Sequence, residues 1–159
     1  MDHPKDIGDR TTLAVMLALR NGGFTVSVPF GENTRYDLVV DDGLRLGRVQ
    51  CKSGQLVSGV VRFKTASTYA HHKSATRLRR DYKGEIEFFG VYCHANDRVY
   101  LVPIADVAAT CEARLRVDPP RNGQMRRIRY ASAYEIGVVR VRPATRAPRE
   151  SSGARGSFA

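Results

Sequence analysis

Three polar residues could together act on a phosphate group: Asp37, Gln50 and Lys52. A carboxylate, an amide oxygen and an ammonium on one face of a sheet could hold a divalent cation and a water beside a phosphate. Side chains alternate between the faces of a strand, so Val49 and Cys51 would point the opposite way. Taken alone, the pattern is better explained as an exposed sheet face with an incidental ion pair, because short motifs have many chance matches.

The three side chains can converge only if the strands that carry them pair in a suitable register. Segment 35–52 predicts two antiparallel strands, because the Asp-Gly pair at 42–43 is a strong hairpin turn signal. A two-residue loop would place Asp37 opposite Arg48, with Gln50 as its diagonal neighbour. A change of one residue in the loop would slip the register and separate the three side chains.

The setting of these residues resembles the PD-(D/E)XK nuclease superfamily. Segment 31–52 is similar to a bacterial branch that includes a group I intron homing endonuclease, which also carries glutamine in place of the usual acid. Archaeal Holliday-junction resolvases resemble the chain more distantly. The similarity continues through 85–93, 98–103 and 120–124, so it covers most of the chain up to position 141.

The resemblance assigns roles to the three residues. Asp37 matches the family's first acid, Gln50 the second acid position, and Lys52 the lysine. Mg²⁺ or Mn²⁺ would be held by Asp37 and Gln50, with the backbone carbonyl of Cys51 as a further ligand. Lys52 would either orient or deprotonate the attacking water, or stabilise negative charge on the phosphate in the transition state.

Two other acids could complete the metal site. An acid from the first helix often does so in this family, and Asp9 is the nearest match, although glutamate is more common there. Asp9 could equally be an N-terminal helix carboxylate that the helix dipole favours. Glu32 could supply the carboxylate that Gln50 lacks, or it could be a solvated loop acid that pairs with Arg35.

The implied fold is α/β (α+β), with a restriction-endonuclease-like core in which a central mixed β-sheet is flanked by helices. The order of the predicted elements agrees with this core. Apolar residues at helical spacing predict a first helix over 11–19, and a short second helix is expected over 105–113. Outside the hairpin, strands are predicted at 24–28, 60–65, 86–93 and 99–104, with one or two more within 126–141.

The chain carries a net charge of +10 and has a sequence pI near 10.0, which makes nucleic acid the leading partner. Binding to acidic membrane surfaces, or a simple gain in solubility, could also account for such a charge. Basic clusters at 69–83 and 121–129 favour phosphate contacts. The residues predicted to contact nucleic acid are Lys64, His71, His72, Lys73, Arg77, Arg79, Arg80, Lys83, Arg121, Asn122, Gln124, Arg126 and Arg127.

Length and composition set the remaining expectations. The 159 residues fit one domain, predicted over 1–142, followed by a disordered basic tail over 143–159. No apolar run is long enough to cross a membrane, and segment 1–6 lacks the apolar part of a secretory signal. A bacterial cytoplasmic protein associated with the nucleoid is expected. Three widely spaced cysteines argue against a zinc site and against a disulfide scaffold.

The function predicted from these features is that of a metal-dependent DNA endonuclease. An alternative is a nuclease-like fold that binds nucleic acid with little or no cleavage, as glutamine at position 50 would allow. A toxin-like ribonuclease is a weaker third hypothesis, because no convincing pair of catalytic histidines is present. The DNA could be branched or site-specific. A homodimer or tetramer is expected, since cutting both strands requires two active sites or sequential action.

Overall fold

The computed structural model describes residues 3–70, 77–107, 111–123 and 126–138. Within them, one α-helix and ten β-strands follow one another, with two short 3₁₀ turns at Ile104–Asp106 and Ala131–Ala133. The elements are α1 (Pro4–Asn21), β1 (Thr25–Ser27), β2 (Leu38–Asp41), β3 (Leu46–Val57), β4 (Val60–Lys64), β5 (Ser67–Ala70), β6 (Arg77–Arg80), β7 (Phe88–Cys93), β8 (Arg98–Pro103), β9 (Glu112–Arg116) and β10 (Glu135–Val138).

The main sheet is mixed. Its strands run in the order β1-β2-β3-β7-β8-β10, and β3 pairs with β7 in parallel while the other neighbours are antiparallel. Strands β4 and β9 continue from the far end of β3. The predicted α+β class with a central mixed sheet is therefore confirmed, although the described residues contain a single α-helix where flanking helices were expected.

Strand β3 is the longest of the described strands, and it changes partners along its length. Residues Leu46 to Val49 pair with β2, whereas Gln55 to Val57 pair with β4. Strand β7 pairs with Val49 to Gly54 along the edge of β3 opposite β2. On the edge that faces β2, neither β2 nor β4 pairs with residues 50–54. This stretch, called here the β3 gap, exposes backbone groups in the middle of the sheet.

Helix α1 covers one face of the main sheet. Val15 and Leu19 are fully buried against the strands. Gly90 allows the close approach, because a Cβ at that position would lie 2.6 Å from Cγ1 of Val15 and 3.0 Å from Cγ1 of Val49. The helix also packs on β3 beside the β3 gap.

The opposite face of the sheet is covered by β4 and β9, which fold back over it. The inward side chains of these strands, such as Phe63 and Leu115, join Phe89 in a second hydrophobic core. Tyr82 belongs to this core and meets Phe89 edge to face, with 5.6 Å between ring centroids. The outward side chains of β4 and β9 are largely charged.

The helix prediction over 11–19 was too short. Helix α1 begins at Pro4, because proline suits the first helical turn and Nδ1 of His3 accepts a hydrogen bond from the backbone N–H of Lys5 at 3.3 Å. Asp9 consequently lies in the second turn of α1, beyond the first turn where the helix dipole acts most strongly. Within the described residues, no helix combines the length and the apolar character that crossing a membrane requires.

The predicted two-residue turn was also wrong. The carboxylate of Asp42 accepts hydrogen bonds from the backbone N–H groups of Leu44 and Arg45, so the turn spans residues 42–45. Asp41 pairs with Leu46, and the register moves by two residues relative to the prediction. Because strand side chains repeat every two residues, a shift of two keeps each side chain on its predicted face.

Two other predicted segments differ from the structure. The helix expected over 105–113 is absent from its described residues, which belong to the turn Ile104–Asp106 and to β9, whose apolar residues alternate and pair with β4. Residues 108–110 lie outside the described residues. Part of the basic run 69–83 forms the β5–β6 hairpin, where no strands were predicted. The predicted tail over 143–159 lies outside the described residues.

The close contact at Gly90 predicts a stability effect. Gly90→Ala should lower the free energy of unfolding by about 1–3 kcal/mol, because the added methyl group forces Val15 away from the sheet. Urea denaturation followed by circular dichroism measures this loss. Gly8→Ala is the matched control, since a Cβ there meets nothing within 4 Å, and it should stabilise α1 by about 0.5–1 kcal/mol. An unchanged stability of Gly90→Ala would contradict the tight packing.

Candidate active site

A cavity of about 350 Å³ opens at the β3 gap, between the first turns of α1 and the middle of β3. It brings together residues that are distant in sequence. Both α1 and β3 contribute residues to its lining. Its lining residues are Lys5, Gly8, Asp9, Thr11, Thr12, Asp37, Gln50, Cys51, Lys52 and Ser53.

Asp37 lies directly before β2, opposite Gln50. Its backbone N–H donates to the carbonyl of Val49 at 2.9 Å, which extends the ladder by one residue. Its carboxylate Oδ2 accepts from Nε2 of Gln50 at 2.7 Å and from the backbone N–H of Cys51 at 2.9 Å. The carboxylate therefore takes the place of a strand partner at the start of the β3 gap.

The environment of Asp37 disfavours its charge. Burial raises the pKa of this carboxyl above its ordinary value, and the backbone N–H of Cys51 and the nearby Lys52 charge only partly oppose the shift. A cation beside the carboxylate would relieve this penalty. The electrostatic environment of Asp37 therefore favours the binding of a cation.

Gln50 presents its amide NH₂ group to Asp37, and the same Nε2 lies 3.3 Å from the carbonyl oxygen of Cys51. An acid at this position would place two carboxylates side by side, whereas the amide donates a hydrogen bond. Rotation of the amide about its last torsion would exchange NH₂ for oxygen at the same place. Gln50 can therefore pair with Asp37 or offer an oxygen ligand.

Cys51 contributes its backbone to the cavity, while its side chain is buried against α1. Burial raises the pKa of the thiol, which keeps the sulfur protonated and unsuited to bind a metal. The N–H and C=O of one strand residue point toward the same edge. Since the N–H of Cys51 reaches Asp37, its carbonyl also faces the β3 gap.

Lys52 is held by an aromatic ring that sequence reasoning did not connect with it. Its Nζ donates to the hydroxyl of Tyr82 at 3.0 Å and lies 4.8 Å from the ring centroid. The guanidinium of Arg35 lies 4.1 Å from the centroid of the same ring. Arg35 is fixed in turn by the carboxylate of Glu85 and by Oγ of Ser67. No sequence signal marks this contact, because 30 residues separate Lys52 from Tyr82.

A second group that the sequence did not indicate joins α1 to the strands beside the cavity. The hydroxyl of Thr11 is buried and lies 2.7 Å from Oγ of Ser53 and 3.2 Å from Nε2 of His94. Burial and the nearby Arg10 lower the pKa of His94, which favours its neutral form. These polar contacts fix the position of α1 relative to β3.

The two candidate acids occupy different places. Asp9 lines the cavity from the second turn of α1. Glu32 is exposed in the loop before Asp37 and is not among the residues that line the cavity. The alternative role of Glu32, as a loop acid paired with Arg35, is not observed among the described residues either, since Arg35 binds Glu85. The structure thus brings Asp9, and not Glu32, to the same opening as Asp37.

The oxygen donors at the cavity suit a hard cation, but together they carry little negative charge. Among the described residues, no group of three or more histidine, cysteine, aspartate or glutamate side chains is arranged to hold a metal. The cavity offers the carboxylates of Asp37 and Asp9, the amide of Gln50 and the carbonyl of Cys51. All four are oxygen donors of the kind that Mg²⁺ and Mn²⁺ prefer.

The predicted nucleic-acid contacts are spread over several surfaces. Lys64, Arg79, Lys83, Arg126 and Arg127 are exposed, as are Arg121 and Asn122 beside a second cavity. Arg80 forms an ion pair with Glu85, so its charge is partly neutralised. Arg77 lies in β6. Predicted contacts that fall outside the described residues are His71, His72, Lys73 and Gln124.

The raised pKa of Asp37 predicts that this residue weakens the fold. The folded state binds its proton more tightly than the unfolded state, so the penalty is absent at low pH and grows as pH rises through both pKa values. Asp37→Asn should therefore raise the melting temperature at pH 7, and the gain should shrink toward pH 4. Thermal unfolding across this pH range measures the effect.

Asp42→Asn is the matched control in the same hairpin. Backbone N–H groups of Leu44 and Arg45 lower the pKa of Asp42, so its charged form stabilises the fold above the unfolded pKa. This stabilisation is lost as pH falls through the lowered pKa. Asp42→Asn should accordingly lower the melting temperature at pH 7. Shifts of the same sign for both variants would contradict the assigned environments.

Comparisons with known proteins agree with this geometry. The family model of the PD-(D/E)XK endonuclease matches residues 2–137. The solved structure of a bacterial homing endonuclease, I-Ssp6803I, superposes with a TM-score of 0.68 at 23% sequence identity, covering 84% of this chain and 89% of that one. A comparison with curated protein sequences gives no match. The match over most of the chain confirms the resemblance inferred from the sequence, and the protein belongs to the PD-(D/E)XK endonuclease family.

Proposed function

We propose that the protein is a metal-dependent DNA endonuclease that hydrolyses phosphodiester bonds at the β3 gap. One observation carries the proposal: the cavity at the β3 gap is lined by Asp37, Gln50, Lys52 and Asp9 together. Membership of an endonuclease family supports a nuclease acting on DNA. The net charge of +10 supports a polyanionic substrate.

The residues at the cavity fit a divalent ion. Asp37 and Asp9 would supply the negative charge, and Gln50 and the carbonyl of Cys51 would supply neutral oxygens. When bound, such an ion supplies positive charge to the phosphoryl oxygens and increases the acidity of water beside them. Two carboxylates make a weaker cage than three, so we expect modest metal affinity.

Lys52 would act on the phosphate through its ammonium group. An ammonium has three N–H donors, and the hydroxyl of Tyr82 accepts one of them. The others can point toward the phosphoryl oxygens, where negative charge increases in the transition state. Tyr82 is only 4% exposed, and it holds the flexible lysine side chain in one direction. Tyr82 is therefore a positioning residue in this proposal.

The attacking water would have to approach the phosphorus opposite the leaving oxygen. Asp37 and Asp9, which both line the cavity, could each accept a hydrogen bond from that water. The hydrogen bond between Gln50 and Asp37 fixes the direction of the Asp37 carboxylate. Pre-aligned groups of this kind lower the entropic barrier to attack.

A second candidate function is supported by Gln50. Its amide donates to Asp37, and the described residues contain no group of three histidine, cysteine, aspartate or glutamate side chains arranged to hold a metal. A nuclease-fold protein that binds DNA without cutting it would have these features. Such a protein would bind DNA in a salt-sensitive manner and give no metal-dependent product.

The proposal includes a homodimer or tetramer. One cavity can cut one strand, and cleavage of a duplex requires a second active site or a second binding event. Branched DNA would be cut in the same way, with one scissile phosphate for each subunit.

The first prediction of this proposal concerns cleavage. With Mg²⁺, the protein should cut plasmid, linear or four-way-branched DNA, and Lys52→Ala should slow cleavage about 100-fold or more because charge stabilisation is lost. Asp37→Ala should abolish cleavage. Arg20→Ala, which removes a cation from the last turn of α1, is the control and should keep full activity. Equal cleavage by wild type and both site variants would eliminate the proposed site, and DNA binding without any cleavage would favour the binding protein.

The second prediction separates the two candidate acids. Asp9→Ala should weaken Mg²⁺ or Mn²⁺ binding about tenfold or more, because a site with one carboxylate fewer holds a hard cation less tightly. Glu32→Ala removes the same charge outside the cavity and should leave metal binding unchanged. Isothermal titration calorimetry measures both. A loss on Glu32→Ala alone would show that the loop acid, and not the helix acid, completes the site.

A further inference from the structure

An arginine-rich cavity lies on the outer face of β4 and β9, apart from the cavity at the β3 gap. It has a volume of about 450 Å³, and the lining residues among those described include no acid. Only one of its arginines, Arg127, was predicted from the sequence as a nucleic-acid contact. The arginines that line it are Arg62, Arg114, Arg116, Arg127 and Arg129.

The strand register forces like charges together in this cavity. Arg62 on β4 pairs directly with Arg114 on β9, so the two side chains project side by side from the same face. Like charges directly opposite one another destabilise a sheet in the absence of a counter-charge. Glu112 is the nearby acid, but it is shared between Arg114 at 3.2 Å and Lys64 at 3.8 Å.

The remaining contacts of the cluster do not neutralise its charge. Nε of Arg62 is buried and has no hydrogen-bond partner among the described residues. Nε of Arg129 donates to the backbone carbonyl of Asp106 at 2.5 Å, which satisfies a donor but leaves the positive charge in place. The backbone N–H of Arg116 donates to the carbonyl of Arg129 at 2.7 Å, and this bond holds the segment that carries Arg127 and Arg129 against β9.

The cluster extends into a neighbouring cavity of about 540 Å³. The two cavities share Ser58 and Arg116, and the second one adds Arg121 together with one acid, Asp118. The basic surface thus continues from β4 across β9 to the loop after it. A continuous strip of guanidinium groups suits a ligand that carries several phosphates in a row, because each planar fork can bind one phosphate in two places.

We propose that this strip is a second binding surface for the phosphodiester backbone of DNA, separate from the site of cleavage. The proposal rests on the proposed function for the identity of the ligand, but it does not require that cleavage occurs. Strand β3 connects the two places, since it carries Lys52 in the β3 gap and Val57 at the rim of the arginine cavity. Five residues of extended strand span at most about 17 Å, which corresponds to roughly five nucleotides along one DNA strand.

The test is the salt dependence of DNA binding. The paired variant Arg114→Gln/Arg116→Gln should bind a linear duplex more weakly, and the slope of log K against log salt should fall by about 2, because each lost phosphate contact removes about 0.9. Fluorescence anisotropy over a range of salt concentrations measures the slope. The single variant Arg114→Gln, at an exposed position, should reduce the slope by about half as much.

The control variant Arg20→Gln/Arg45→Gln removes the same charge from the end of α1 and from the β2–β3 turn. Its slope should stay close to that of the wild type. Equal slopes for the two paired variants would overturn the proposal, since net charge alone would then explain binding. Binding of inorganic phosphate as tightly as the duplex would overturn it in favour of a small-anion site. A change in sedimentation of the free Arg114→Gln/Arg116→Gln protein would assign the strip to contacts between copies of the chain.

Failure of the proposed function is distinguishable from failure of this inference. If the wild type binds DNA through the strip but gives no product with Mg²⁺, the inference stands and the endonuclease does not. If Arg114→Gln/Arg116→Gln has the wild-type slope while Lys52→Ala abolishes cleavage, the endonuclease stands and the strip does not.

Discussion

The unpaired edge of β3 determines what the rest of the structure can do. Backbone N–H and C=O groups in a sheet are normally paired, and leaving them unpaired without water or another partner is unfavourable. Between Val49 and Gln55, β3 has passed β2 and has not yet met β4. The carboxylate of Asp37 satisfies the N–H of Cys51 there. The Asp37 carboxylate therefore takes the place of a neighbouring strand, and the carbonyl of Cys51 faces the same opening.

Several charged groups at this opening are held in electrostatically unfavourable environments. Asp37 is half-buried with a raised pKa, and its stabilising partners are an amide, a backbone N–H and the charge of Lys52. Tyr82 has two cations near its ring. Groups held in unfavourable environments are common where a protein binds a charged ligand, because the ligand supplies the missing counter-charge. The stability that Asp37 removes from the free protein would be regained on binding a cation.

The arginine strip is a larger example of charges held in an unfavourable environment. Alternation along β4 and β9 buries Phe63 and Leu115 and leaves Arg62 and Arg114 outside, so the fold cannot avoid placing the two charges together. The strand that carries Gln50 and Lys52 continues directly to the rim of this strip. A single strand thus sets the spacing between the two surfaces. A DNA strand that binds at both would have to span that distance.

The sequence by itself determined the residue types at the site, the family, the mixed sheet and the basic charge, because these depend on local pattern and composition. The faces of Asp37, Gln50 and Lys52 were predictable despite a wrong turn, since a shift of two residues preserves strand alternation. Only the tertiary structure decided that Asp9 reaches the cavity, that Tyr82 holds Lys52, and that five arginines converge. These contacts join residues far apart in the chain, and no local pattern encodes which distant side chains packing will bring together.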